Sequence, residues 1–287
     1  MQRHADKDLN GYALIANGPL EILEAGKDGF APGGFNEAEL HNANWVGREF
    51  ANYADLVGSF GKPWADGLAK ITDFIEQLRG TVEKPKNRRR RARWSEVDGE
   101  VDVDRVLIGD PMFYRDMHRD EVQGPNTITL LCNIGGRQDV TADEMFWRGA
   151  AAVAAADLLE AAGYSVEVVA WSRAEHVFPS GKTDVFVAYR LKECGGTLDI
   201  DSLACGLSCW FFRTAVFSAR VNGWDRALPR AGCVGGSVHK IGGWDKYLDV
   251  SEGTRTISMP VVTDRESAIK AAREILSQLG QPVEFAN

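Results

Sequence analysis

The 287-residue sequence contains no apolar run close to the roughly 18 residues that a membrane-spanning helix requires. Its first residues, MQRHADKDLNG, also lack the apolar stretch of a signal peptide. Hydrophobic residues nevertheless make up 44% of the chain, which is enough to bury a substantial core. These features predict a globular protein that resides in the cytoplasm.

Cysteine is scarce and histidine is scattered, which argues against several kinds of catalytic or metal site. The five cysteines show no CxxC spacing, so neither a disulfide framework nor a structural zinc site is predicted. None of the five histidines has a metal-ligand spacing such as HExxH. Cys205 and Cys209 lie one helical turn apart in an apolar segment, where two buried thiols are the favoured interpretation. We therefore expect no enzymatic activity, no metal ion and no cofactor.

An excess of positive charge is also absent. The net charge of -8 disfavours nonspecific attraction to nucleic acid or to an anionic membrane. One local exception is the basic run KPKNRRRRAR at 84–93, which is followed at once by the acidic block SEVDGEVDVDRVLIGD at 95–110. Pairing of the two blocks is the favoured interpretation, because it closes only a short loop.

The alternative interpretation of the basic run is contact with nucleic acid. Guanidinium groups engage phosphates, and a tryptophan can stack on a base. The candidate residues for such contact are Arg88, Arg89, Arg90, Arg91, Arg93 and Trp94.

Residue patterning divides the chain into three regions. Residues 1–83 are predicted to form an N-terminal arm, which begins as an irregular segment or edge hairpin and carries an amphipathic helix at 62–80. Residues 84–125 form the basic-then-acidic linker. Residues 126–287 alternate strands with helices, which is typical of a layered α/β domain.

The first elements of the α/β region have clear signals. TITLLCN predicts a buried strand, and Thr141 with Glu144 forms a capping box for a helix over 142–162. YSVEVVAW and TDVFVAYRL predict two further strands, which we expect to be antiparallel because only a short loop joins them.

The later elements are predicted in the same way. LDIDSLACGLSCWFFRTAVFSA predicts one long, well-buried helix, and RTISMPVV predicts a late strand. Thr263 with Glu266 is expected to form a capping box for the last helix.

The order of these segments resembles a known family. The acidic segment DGEVDVDRVLIGDPMFYRDMHRD, an apolar strand, a glycine-containing turn into an amphipathic helix and AAGYSVEVVAW are similar to von Willebrand factor A-like domains. The similarity is to the domains of cobaltochelatase-type and nitric-oxide-reductase-activation proteins, and it covers residues 94–175. It implies a three-layer, Rossmann-like sheet with helices on both faces, to which the N-terminal region is an extension. Degenerate forms of this type also resemble proteins of phages and mobile elements.

The family's first strand ends in Asp-x-Ser-Gly-Ser, whose oxygens hold a divalent cation at the carboxyl edge of the sheet. The matching residues here are Asn133, Ile134, Gly135, Gly136 and Arg137. A neutral amide replaces the aspartate, and an arginine replaces one serine, although such cations prefer carboxylate ligands. The resemblance therefore implies a degenerate cation site that no longer binds metal.

Two interpretations of this glycine turn remain open. It could bind an anion or an acidic side chain, because Arg137 and the N–H groups of the helix beginning near Thr141 favour negative charge. Alternatively, the glycines serve only the strand-to-helix connection. The second interpretation is favoured, since one glycine pair with one arginine falls far short of a phosphate-binding loop.

The resemblance also implies a function. Relatives of this type commonly work beside a MoxR-like AAA+ ATPase and couple it to a target. We therefore expect a noncatalytic interaction protein, an adaptor or scaffold. The predicted partner-binding residues are Asn133, Gly135, Gly136, Arg137 and Thr197, the last of which matches a loop threonine of the family. The alternative function is a nucleic-acid-associated protein that binds through residues 88–93, and a Cys-dependent enzyme is a third interpretation.

Overall fold

The computed structural model describes most of the chain. The described residues are 1–27, 38–62, 64–79, 93–95, 100–101, 103–116, 127–136, 139–178, 181–223, 236–237, 240–248, 250 and 254–279. They divide into two units. One unit comprises residues 1–83 with 127–287, and the other comprises residues 84–126.

The first unit is built on a mixed β-sheet, whose strands are numbered in chain order. In space they follow the order β1 (Gln2–Asp6), β2 (Gly11–Ala16), β8 (Gly181–Lys192), β7 (Ser165–Phe178), β6 (Thr127–Asn133) and β10 (Arg255–Ser258), while β9 (Gly236–Ser237) pairs with β7. Strand β6 is parallel to both of its neighbours, β7 and β10. Strands β7 and β8 form an antiparallel pair, as the sequence predicts.

Helices cover one face of this sheet. They are α1 (Pro19–Gly26), α2 (Ala43–Val46), α3 (Tyr53–Ser59), α4 (Ala65–Arg79), α6 (Ala142–Ala161), α7 (Ile200–Gly206), α8 (Cys209–Phe211), α9 (Phe217–Gly223) and α10 (Arg265–Gln278). Alternate strand residues such as Leu130, Val168 and Val187 point towards them, because successive side chains of a strand face opposite sides. Helices and strands together enclose the main hydrophobic core of the unit.

The second face of the sheet has a different cover. Leu131, Val169 and Phe186 point to this side, where they meet Trp244 of the 3-10 helix Gly242–Tyr247. The predicted arrangement has helices on both faces, whereas the described α-helices of this unit all contribute to the core on the first face. The pairs β1–β2 and β7–β8 are antiparallel neighbours along the chain, and such pairs need no crossover helix.

The described part of residues 1–83, which the sequence predicts as an arm with an irregular segment or edge hairpin and an amphipathic helix, is built into the main sheet and its core. Strands β1 and β2 form an edge hairpin, and β2 pairs with β8 in parallel. Helix α4 corresponds to the amphipathic helix predicted at 62–80, and it buries Ile71, Ile75 and Leu78 in the main core. The pairing of β2 with β8 joins segments far apart in the chain, which a local pattern does not reveal.

Helix boundaries confirm one prediction and correct two. The capping box of Thr141 and Glu144 is present at the start of α6. The long helix predicted over 198–219 is instead broken into α7, α8, the π-helix Phe212–Val216 and α9, because the Ser208 hydroxyl caps a new helix. Helix α10 is capped by Asp264 rather than by Thr263.

No single helix in the described part of the chain is long and apolar enough to cross a membrane. The segments Ile200–Gly206 and Cys209–Arg220 meet the length and composition requirement only as a pair, and they are bent by 48° at the break between them.

The second unit has secondary structure of its own, although the sequence predicts a linker over 84–125. Strands β3 (Arg93–Ser95), β5 (Tyr114–Asp116) and β4 (Glu100–Val101) form an antiparallel sheet in that order, and α5 covers Val103–Leu107. Most of the arginine run, residues 88–91, lies outside the described residues, as do the side chains of Arg93 and Trp94. The nucleic-acid alternative therefore stays a prediction.

Candidate functional site

The site predicted from the sequence begins where β6 ends. The next strand along the chain, β7, lies on one side of β6, and β10 lies on the other side. Open α/β sheets bind ligands outside the carboxyl ends of their strands, at the point where the strands that follow in the chain lie on opposite sides of one strand. Asn133, Gly135 and Gly136 lie at this point, whereas Arg137 falls outside the described residues.

The loop after β6 begins with a tight turn. The Asn133 Oδ1 atom accepts a hydrogen bond from the Gly135 N–H at 2.8 Å. The Ile134 N–H donates to the Trp171 carbonyl oxygen at 2.9 Å, which extends the pairing with β7 by one residue. A Cβ atom at Gly136 would lie 3.0 Å from Met145 Sδ, so glycine suits this close approach. The Asn133 side chain thus holds the turn.

Two buried arginines hold the two ends of this loop. Arg148 of α6 is 6% exposed, and its Nη1 atom donates to the Gly135 carbonyl oxygen. Arg213 of the π-helix is 1% exposed, and its Nη2 atom donates to the Val140 carbonyl oxygen. The same guanidinium lies 3.7 Å from the centroid of the Trp45 ring. The two arginines therefore fix the described ends of the loop, at Gly135 and at Val140.

The charge of Arg148 has no carboxylate partner within 4.0 Å in the described part of the chain. Its Nε atom is buried there without a hydrogen-bond acceptor. Burial lowers the pKa of Arg148, while the charge of Glu144 acts in the opposite direction. Glu144 is engaged in its capping box, where it accepts hydrogen bonds from the Thr141 N–H at 2.6 Å and hydroxyl at 2.9 Å.

A divalent cation fits poorly beside this buried positive charge. The described residues contain no group of three or more His, Cys, Asp or Glu side chains that could hold a metal ion. A cation at the end of β6 would also be repelled by the Arg148 guanidinium across a medium of low dielectric constant. Loss of the cation site stays a prediction, for which Arg148 supplies a physical reason beyond the changed motif.

The space beside Arg148 is too small to enclose a substrate. It is a cavity of about 10 Å³ lined by Cys132, Asn133, Ile134, Met145, Arg148, Gly149, Leu207 and Met259. A cavity of this size holds about one water molecule.

The described cysteines are poor nucleophiles. Burial raises the pKa of the Cys132 thiol to about 12 and that of the Cys209 thiol to about 11. Burial also raises the pKa of Cys205. Since the thiolate is the reactive form, these groups are protonated and unreactive at neutral pH. None of these three thiols is therefore suited to act as a catalytic nucleophile.

Thr197 lies at the opposite end of the sheet from Asn133. The Gly195 N–H donates to Ser165 Oγ at 2.8 Å, and Ser165 begins β7 opposite Thr127, the first residue of β6. The far end of β6 is about 20 Å away at the usual rise of a strand. The two residues from Gly195 to Thr197 cannot span that distance. The structure therefore does not bring Thr197 together with the other predicted partner-binding residues.

The Thr263–Asp264 pair serves as a helix start. Asp264 accepts a hydrogen bond from the Ser267 N–H at 2.8 Å, and this bond is the main cause of the lowered pKa of Asp264. The Thr263 hydroxyl lies 3.1 Å from the same carboxylate. Both residues are exposed, and capping accounts for their contacts.

Arg148 and Arg213 are functional candidates that the motif-based prediction does not include. A signal for each is nevertheless present in the sequence. Arg148 interrupts the apolar stretch MFWRGAAAVAAA, and Arg213 interrupts CWFFRTAVF. A charged residue inside a segment that is apolar on nearly all sides is expected to be buried, and buried charges are rare.

Comparison with protein families gives one match. A family model described as "Domain of unknown function (DUF7192)" matches residues 15–282. The chain belongs to the DUF7192 family. The DUF7192 match extends from β2 to the end of α10, so it includes the loop after β6 and both arginines that hold it. No curated protein and no solved structure matches the chain.

Proposed function

We propose that this DUF7192 protein is a noncatalytic interaction protein, an adaptor or scaffold, that presents the carboxyl edge of its sheet to a protein partner. The observation that carries the proposal is the fixation of one loop by two buried guanidinium groups, Arg148 at Gly135 and Arg213 at Val140. Backbone that is fixed before binding, as at these two points, loses little conformational entropy when a partner docks on it.

The chemistry at this edge favours binding over catalysis. The cavity beside Arg148 has room for about one water molecule, far less than the pockets that enclose small-molecule substrates. Cys132 and Cys209 border the same region, but burial keeps both thiols protonated. What the edge offers is a positive charge beside a fixed backbone, and such a surface suits recognition of an acidic group.

We further propose that the fold is von Willebrand factor A-like and that the partner is a MoxR-like AAA+ ATPase in the cytoplasm. The succession of β6, the glycine-containing loop, α6 and β7 supports the fold, because the resemblance rests on the same order of segments. The partner follows from that resemblance, which is an analogy at the level of the fold.

Reversal of charge at Arg137 tests the proposed surface. We expect Arg137→Glu to abolish co-purification of a MoxR-like ATPase from the same genome, because the new carboxylate repels the partner's acid. Arg137→Ala should weaken capture less, and EDTA should leave wild-type capture unchanged.

The matched control is Arg255→Glu, which makes the same charge change at the start of β10, the opposite end of that strand from the proposed surface. Circular dichroism checks that each variant is folded. Undiminished capture by folded Arg137→Glu protein would contradict the proposed surface.

A further inference from the structure

Arg148 is a buried cation whose hydrogen bonds are incomplete in the described part of the chain. Its Nη1 atom reaches the Gly135 carbonyl oxygen, while its buried Nε atom has no acceptor there. Burial of a charge is costly, and the cost is not fully recovered from one neutral carbonyl and from the charge of Glu144, which lies beyond 4.0 Å and is engaged in its capping box. Such a group is therefore a candidate for contact with a ligand.

Other buried charges in the same sheet have opposite charges beside them. Glu167, 2% exposed, lies 2.8 Å from Arg190 Nε and accepts a hydrogen bond from the Thr129 hydroxyl at 2.7 Å. Lys192, 5% exposed, lies 2.5 Å from a Glu160 oxygen. Arg148 differs from both of these groups in having no such partner among the described residues.

The surroundings of Arg148 keep its guanidinium at the end of β6. Gly149, the next residue of α6, lets the helix approach the chain at Leu207, because a Cβ atom there would lie 2.8 Å from the Leu207 carbonyl oxygen. The water-sized cavity lies beside the guanidinium and is otherwise lined mainly by apolar side chains. In such surroundings a hydrogen bond to a charged group is stronger than it is in water.

We infer that Arg148 is the receptor for a carboxylate, which an aspartate or glutamate side chain of a protein partner brings to the end of β6. This inference rests on the proposed interaction function. One carboxylate oxygen would enter the water-sized cavity that Arg148 lines and supply the acceptor that the Nε atom lacks. The planar fork of a guanidinium matches a carboxylate better than an ammonium does.

Peptide binding tests the inference directly. We expect the tripeptide acetyl-Gly-Asp-Gly-amide to raise the melting temperature of the wild type saturably, and its Asn analogue to have no effect. At ten times its Kd, a ligand that binds only the native state raises the folded-to-unfolded ratio about 11-fold. Sodium acetate should act in the same direction, and inorganic phosphate serves as the comparison anion.

Arg148→Met should abolish the response to the Asp peptide and to acetate. The matched control is Arg220→Met, because Arg220 is also 6% exposed but lies on α9, which packs against α1. The control variant should keep the response of the wild type. Arg148→Lys retains the positive charge but lacks the planar guanidinium. We expect it to weaken peptide binding about tenfold, because it loses one hydrogen bond to a charged group.

Absence of a saturable response of the wild type to both the Asp peptide and acetate would overturn the inference, and this result does not depend on any variant. A response to phosphate alone would overturn the assignment of a carboxylate. A response to acetate without one to the peptide would overturn the partner side chain as its source. Binding of the Asp peptide through Arg148, combined with failure to capture the ATPase, would support the receptor and refute only the proposed partner.

Discussion

The end of β6 and the second face of the sheet use buried charge in opposite ways. On the second face, the 3-10 helix Gly242–Tyr247 is tied down by two carboxylates. Asp6 lies 2.5 Å from Lys246 Nζ and accepts a hydrogen bond from the Tyr247 hydroxyl at 2.8 Å. Asp184 accepts hydrogen bonds from Arg173 Nε at 2.8 Å and from Trp244 Nε1 at 3.4 Å.

At the end of β6, on the first face, the buried charges are cations that donate to neutral backbone carbonyls. Arg148 donates to Gly135 and Arg213 donates to Val140. The carboxylates of the second face have opposite charges beside them and hold one part of the fold to another. The guanidinium of Arg148 has no such partner in the described chain, which leaves it available to a ligand. The comparison thus separates charges that stabilise the fold from a charge that we expect to bind.

Asp184→Ala should give the largest effect. It leaves the Arg173 guanidinium and the Trp244 Nε1 atom without their shared acceptor, and loss of one partner of a largely buried ion pair costs about 3 kcal/mol. Urea unfolding measures the free energy of unfolding directly. Asp73→Ala is the control, because the Asp73–Arg265 pair is exposed and should contribute less than about 1 kcal/mol. Equal losses of unfolding free energy in Asp184→Ala and Asp73→Ala would show that the buried pair contributes no more to stability than the exposed pair.

Asp6→Asn should have a smaller effect, because the Lys246 side chain is 51% exposed and its charge is screened by solvent. Hydrogen bonds from Lys246, Tyr247 and the Leu9 N–H lower the pKa of Asp6 below its ordinary value. The stabilisation is therefore fully present above the unfolded pKa of about 3.9 and is lost as the pH falls below it. Urea midpoints measured down to pH about 2.5 should show the wild type and the variant converging. A constant difference across that range would show that Asp6 is not the titrating group.

Thr141→Ala should destabilise the protein by about 1 kcal/mol, because it removes the N-cap of α6 at the end of the loop after β6. Thr263→Ala should cost less than about 0.5 kcal/mol, since Asp264 caps α10 and Thr263 precedes the cap. Thermal unfolding of the two variants compares the same substitution at two helix starts. A larger loss for Thr263→Ala would restore Thr263 as the cap.

Arg148→Met should change the free energy of unfolding by no more than about 1 kcal/mol, because an apolar side chain of similar length avoids the burial of an unpaired charge. The loss of the hydrogen bond to Gly135 offsets part of that gain. The expected result is a stable protein that no longer responds to the Asp peptide. A loss as large as that of Asp184→Ala would show that Arg148 stabilises the fold as the second-face carboxylates do.

Addition of Mg²⁺ or Mn²⁺ should give the smallest effect, which is no change in melting temperature. A ligand stabilises a protein only as far as it binds the native state, and the Arg148 guanidinium opposes a cation at the end of β6. A saturable increase in melting temperature would contradict the prediction that the cation site is lost.

Local signals in the sequence account for many elements of the fold. The strand over 127–133, the capping box at Thr141 and the antiparallel pairing of β7 with β8 each depend on residues a few positions apart. The break at Ser208 also had a local signal, since serine is a preferred N-cap, but the continuous apolar pattern around it favoured one long helix.

By itself, the sequence determined the alternation of strands and helices and the absence of a carboxylate at residues 133–137, because hydrophobic periodicity and side-chain type act locally. Only the tertiary structure decided that β2 pairs with β8, that Thr197 lies far from Asn133, and that Arg148 and Arg213 hold one loop. The physical reason is that strand pairing and the burial of a charge depend on which distant segments meet. Whether a guanidinium has an opposite charge beside it depends on those contacts between distant segments, which no short stretch of sequence specifies.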